Sequence, residues 1–152
     1  MYASAFMAFL HHLAAFALVG ALVAEVVLFK PPLTAQQALR VLRTDTLFGV
    51  AAGLLLAIGL LRVFYFEKGP LYYFSDVFFI AKLTLFILAS LISVYPTMLF
   101  LSWRQTLKKG GMPEIDPARA RRARMCMMLE LTAIVAILLC APFMARGIGL
   151  LR

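Results

Sequence analysis

The chain has 152 residues, 64% of them hydrophobic, with a mean hydropathy of +0.94 and a formal net charge of +8. A soluble domain does not carry that much apolar surface. The basic excess lies mostly in one connector between apolar runs, which is ordinary in membrane proteins and argues against nucleic-acid binding. The apolar residues come in long runs and not in the two-residue alternation of a membrane barrel, so helices do the spanning. The fold class expected is therefore all-α, an integral membrane antiparallel four-helix bundle. A single domain is expected over residues 1–152, with spans at about 2–29, 46–66, 75–103 and 125–146. Each exceeds the roughly 20 residues a helix needs to cross.

The first span contains FMAFLHHLAAFALVGALVAE, apolar enough to cross yet carrying His11, His12 and Glu25. It lacks a basic start, is long and holds ionisable groups, so it does not read as a cleaved signal. His11 and Glu25 are fourteen residues apart, almost four helical turns, and share one face about 20 Å apart; His12 points about 100° away. Pro31 and Pro32 end this helix, because proline cannot continue the backbone hydrogen-bond ladder. Thr34 then caps a short amphipathic segment over 35–43, expected at the interface or running on into span two. Gly49 and Gly53 form a GxxxG on span two, read as close helix packing or as a smooth wall for a flat ligand.

Gly69 and Pro70 make a turn, with Tyr72 and Tyr73 as interfacial anchors. Pro96 and Pro142 interrupt spans three and four, and Ser93 and Thr97 are candidates to re-satisfy the carbonyls freed at Pro96. Asp116 followed by Pro117 reads as an N-cap and first helical residue, so helix four starts outside the lipid. Cys126 and Cys140 fall on one helix about 21 Å apart and cannot bridge each other there.

Basic residues set the orientation. The first and third connectors hold ten, Lys30, Arg40, Arg43, Arg104, Lys108, Lys109, Arg119, Arg121, Arg122 and Arg124, against four (Arg62, Lys68, Arg146 and Arg152) on the other side. That places both basic connectors in the cytoplasm and both termini outside, in a bacterial inner membrane.

Threading the spans antiparallel sorts the polar groups into two layers. An outer layer has His11, Lys82, Arg62, Tyr65, Asp76 and Arg146; an inner layer has Glu25, Glu130, Asp45 and Arg43. Ionisable groups are expensive in hydrocarbon and usually face a bundle interior, a cavity or a partner. Structural uses stand beside functional ones: Lys82 can snorkel or neutralise an acid, Arg62 and Arg146 can anchor lipid phosphates, and Glu25 and Glu130 can pair with Arg43 or share a proton. Three-ligand zinc chemistry does not suit this set, nor does a nucleophile–base dyad. A haem b or porphyrin held by the single imidazole of His11 is compatible, with propionates on Lys82, Arg62 or Arg146.

The whole chain resembles an uncharacterised family of small bacterial four-helix membrane proteins. HHLAAFALVGALVAE, RTDTLFGVAAGLLL with GLLRVFY, the EKGPLYY turn, and LEL followed by MARGIG carry that resemblance. FLHHLAAFALVG, IAKLTLF and RMCMMLEL are more distantly similar to elements of the HemJ-type protoporphyrinogen oxidases. That second resemblance implies His11 as the haem-ligating and metal-binding position, with Lys82 and Glu130 as partner charges. Ile80 stands where that family usually has a histidine, and its tryptophan in the first span is absent.

Three readings of function follow. The favoured one is a haem- or porphyrin-binding, redox-active membrane protein with His11 as axial ligand, Lys82 with Arg62 and Arg146 as cofactor partners, and Glu130 with Glu25 as a proton route. The second is a proton-coupled small transporter or transport subunit in which the acids exchange protons; a hydrophobic small molecule is a further expected partner, tied to no one reading. The third is a structural subunit that associates with further copies through Gly49 and Gly53. The lipid bilayer is the partner common to all three.

Overall fold

The computed structural model describes residues 2–150, in which every extended element is helical. α1 (Tyr2–Leu28) and α2 (Ala35–Leu61) form one antiparallel pair, and α2 runs on into a π-helical turn at Arg62–Phe66. A short α3 (Pro70–Phe74) turns the corner into α4 (Val77–Ser102), which is followed by a short α5 (Arg104–Lys108) and then α6 (Pro117–Ala145). α4 and α6 pack together as extensively as α1 and α2; the two pairs meet more sparingly, through α1 against α6 and α2 against α4. Four helices are long and apolar enough to cross a membrane, and large apolar side chains such as Phe16, Leu54, Leu91 and Leu139 point outward along them. In lipid, that exposed surface carries no hydrophobic penalty, so such a bundle needs only a slim internal core.

Local sequence explains where the helices begin. Thr34 and Gln37 make a reciprocal capping box, with the Gln37 amide donating to Thr34 Oγ1 at 3.2 Å and the Thr34 amide donating to Gln37 Oε1 at 2.8 Å. Asp76 caps α4 by accepting from the amides of Phe78 and Phe79, and Asp116 caps α6 with Pro117 in its first turn. Of the two placements expected for the segment 35–43, a separate interfacial helix or a run straight into span two, the structure has the second. Those residues are the opening turns of α2, because no proline intervenes and the buried stripe Ala38, Val41, Leu42, Asp45, Phe48 keeps helical phase throughout.

The core is thickest at the end that holds the basic connectors. Phe29, Phe100 and Trp103 are buried there with ring centroids 5.0–6.2 Å apart. Met127, Ala123, Val41 and Leu22 pack into the same cluster. At the opposite end the chain after α6 folds back: the Val77 amide donates to the Gly149 carbonyl at 3.1 Å, and Phe78 stacks on Phe143 at 5.0 Å. Thr97 does not serve the carbonyls freed by Pro96. Its hydroxyl donates to Asp45 Oδ1 at 2.6 Å, while Ser93 donates to the Ser90 carbonyl.

Candidate functional site: a cationic cavity above buried carboxyls

All four long helices contribute to a cavity of about 120 Å³ beneath the α3 corner. α1 supplies His11, α2 supplies Leu55 and Gly59, the π-helical turn supplies Arg62 and Val63, α4 supplies Lys82 and Phe86, and α6 supplies Ile137 and Met144. Glu67 and Tyr73 close the end nearest the corner. Gly59 is the reason the His11 ring fits: a Cβ there would lie 3.2 Å from His11 Cε1 and 3.6 Å from Nδ1. His11 Nδ1 is buried without a hydrogen-bond partner, and the charges facing the ring are those of Lys82 and Arg62.

Arg62 Nη2 donates to Glu67 Oε1 at 2.7 Å, an i, i+5 pair that suits the wider π-helical turn joining them. That is the sole ion pair among the described residues, so Lys82 has no carboxylate within reach. Arg62 and the Cys140 thiol are its titratable neighbours. Tyr73, on α3 outside the spans, has its pKa pushed up by burial first and by the nearby Glu67 carboxylate second, which keeps its hydroxyl a donor.

Deeper in the bundle, Glu25, Asp45 and Glu130 are buried to 2%, 4% and 1% exposure, withdrawn from both water and lipid. Glu25 has Asp45 and Glu130 as its charged neighbours, and Glu130 has Asp45. Glu25 Oε2 and Glu130 Oε1 make no hydrogen bond, and among the described residues no cation pairs with any of the three. Arg43 is exposed and does not meet Glu25 or Glu130, because the α2 stripe turns Asp45 inward and Arg43 outward. A second, smaller cavity of about 20 Å³ touches Glu130, Ser90 and Phe48. Phe86 and Ile137 line both cavities and so form the wall between the cationic space and the acids. On the other side of the acids stands the Phe29, Phe100 and Trp103 cluster, one turn beyond Glu25.

The structure thus brings His11, Lys82 and Arg62 together, and gathers Glu25, Glu130 and Asp45 separately. His12 is exposed, with Nδ1 2.6 Å from the Ala8 carbonyl. Arg146, expected beside the cavity, is exposed at the end of α6 and does not line it. Asp76 is fully buried and caps α4 through Oδ1, which leaves its Oδ2 unpartnered. Glu67 and Gly59 were missed as site residues. Glu67 reads in sequence as a turn residue, and only the π-helical turn reveals its reach to Arg62; Gly59 reads as one more small residue on a slim helix.

This arrangement lends a porphyrin no support. Pockets for drug-sized ligands run to about 300–1,000 Å³, and the cavity here is well below that range. The His11 ring is pressed against the Gly59 backbone, Arg62 is already neutralised by Glu67, and Arg146 lies outside. Among the described residues no group of three or more His, Cys, Asp or Glu side chains is arranged to hold a metal ion.

No curated protein and no solved structure matches the chain, so the resemblance to HemJ-type oxidases gains no support there. A family model described as "Predicted membrane protein (DUF2214)" matches residues 3–149. The match spans nearly the whole sequence, cavity and carboxyls included, and the chain belongs to that family.

Proposed function

We propose that this protein is a proton-coupled transporter, or transport subunit, for a small solute in the bacterial inner membrane. The observation that carries this reading is the alignment of two sites along one bundle axis. A solute-sized cationic cavity lies above three buried carboxyls, and Phe86 and Ile137 line both that cavity and the smaller one that touches Glu130. Carboxyls withdrawn from water and unpaired with cations are the groups that membrane pumps and transporters use to carry protons. Phe29, Phe100 and Trp103 pack into a buried cluster beyond the acids, at the end of the bundle away from the cavity. Transport then needs the aromatic cluster and the Phe86–Ile137 wall to open in turn, and the sparing contact between the two helix pairs suits a rocking motion.

The excess of Lys and Arg in the first and third connectors supports an orientation with the aromatic cluster at the cytoplasmic side and the cavity at the outer side. Single cysteines at Lys109 and Gly69, in a background without Cys126 and Cys140, test this by labelling from each face. Reactivity of the Lys109 position only from outside would reverse it.

The functional test is proton entry into vesicles. Protein reconstituted with a trapped pH-sensitive dye should equilibrate an imposed pH step several-fold faster than protein-free vesicles. Glu25→Gln and Glu130→Gln should remove the excess rate. Proton entry no faster than in empty vesicles, with and without added solutes, would end the proton-coupled reading.

A further inference from the structure

We propose that the outer cavity is a binding site for a monocarboxylate with a compact apolar body, between butyrate and benzoate in size. The inference rests on the transport reading only for the ligand's fate; the site itself is argued from its own chemistry.

Charge comes first. Lys82, Arg62 and Glu67 are the formally charged groups in the lining, and Arg62 and Glu67 neutralise each other at 2.7 Å. Lys82 is left as one positive charge in excess, deep in a bundle where a cation without a counter-charge is expensive. A ligand bearing a single negative charge supplies that counter-charge. A cation would add to the repulsion, a neutral molecule would leave Lys82 uncompensated, and a dianion would bring one charge too many.

Shape and polarity narrow the class further. Most of the wall is aliphatic or aromatic, including Leu55, Leu83, Phe86 and Ile137, so the ligand must offer apolar surface beyond its charged head. A bare halide or nitrate would leave that wall unfilled. The volume of about 120 Å³ is somewhat smaller than the engineered 150 Å³ cavity that accepts benzene, so benzoate is the upper bound of the class and the smaller butyrate is the better fit. A carboxylate needs a charged donor, and the lining offers the Lys82 ammonium, while the Tyr73 hydroxyl is engaged with Glu67.

The test is calorimetric titration of the purified protein in detergent with butyrate, benzoate, succinate, benzamide and benzylamine. Butyrate or benzoate should bind saturably, and each of the other three should bind at least tenfold more weakly. Lys82→Gln should weaken carboxylate binding about ten- to a hundredfold, the range of a hydrogen bond to a charged group. Arg146→Gln, at an exposed position outside the cavity, should bind as the wild type does. Should Lys82→Gln fail to fold, the ligand series on the wild type still decides the matter. Equal binding of benzamide, preference for succinate, undiminished binding by Lys82→Gln, or no saturable carboxylate binding would each overturn the proposal. Carboxylate binding without proton flux would leave this site standing and remove the transport reading; flux without carboxylate binding would do the reverse.

Discussion

Thr97 donates its hydroxyl to Asp45 at 2.6 Å, joining α4 to α2 across 52 residues of sequence. It is the one side-chain to side-chain hydrogen bond between long helices among the described residues. The two helix pairs meet sparingly, so this bond adds a polar link to the apolar cluster that joins them. It also satisfies one buried acid while Glu25 and Glu130 each keep an unpartnered oxygen.

Thr97→Val keeps the shape of the side chain and deletes the donor. Hydrogen bonds between membrane helices average about 0.6 kcal/mol, and orphaning a buried acceptor raises the cost toward 1–3 kcal/mol. A loss of about 1 kcal/mol is therefore expected, read as a lower unfolding midpoint in mixed micelles. Unchanged stability would mean that the bond does not hold the pairs together.

Glu130→Gln should leave stability within about 1 kcal/mol of wild type. No cation among the described residues depends on that carboxyl, and an amide fits the same space. A loss of 3–5 kcal/mol, the cost of breaking a buried ion pair, would reveal a partner outside the described contacts. The same variant is expected to lose proton flux, so stability and flux should separate.

The glycines of α2 should respond differently to alanine. Gly49 and Gly53 have open space where a Cβ would go, so neither packs a helix within the chain. Alanine there should be neutral or stabilise by up to about 1 kcal/mol through helix propensity. At Gly59 the new Cβ would meet His11 at 3.2 Å, so the ring must shift and the propensity gain should be offset. Destabilisation at Gly49 or Gly53, together with a change in oligomeric mass, would identify that face as a contact between copies.

Gly149→Ala should loosen the strap at the end of α6. The residue has φ +112°, and a Cβ would fall 2.7 Å from Phe78 Cδ2. Overpacking of this kind costs about 1–3 kcal/mol. The expected result is a lower unfolding midpoint and faster proteolysis after Arg146, with α1 and α2 unaffected.

An absorbance spectrum tests the haem expectation directly. Protein purified from haem-replete cells should show no Soret band, since the cavity is small for a porphyrin and Arg146 lies outside it. A stoichiometric band lost in His11→Ala and kept in His12→Ala would restore the imidazole-ligand reading.

Much of this protein was fixed by one-dimensional facts. Runs of more than 20 apolar residues permit only helices in lipid, so four spans follow from hydropathy and length alone. The caps at Thr34 and Asp116 are local, involving residues within three positions, and were legible for that reason. Helical period likewise put His11 and Glu25 on the inward face and left His12 outside. Tertiary structure decided the rest, because it depends on which faces meet. The π-helical turn that brings Glu67 to Arg62 shifts the phase of α2 locally, and no composition signal announces it. Thr97 chose Asp45 on another helix over its own backbone, a choice available only once α2 and α4 are side by side. Whether Lys82 had an acid to neutralise it was likewise a question of packing: the nearby Glu67 is engaged by Arg62, and Glu25, Asp45 and Glu130 lie beyond Phe86 and Ile137.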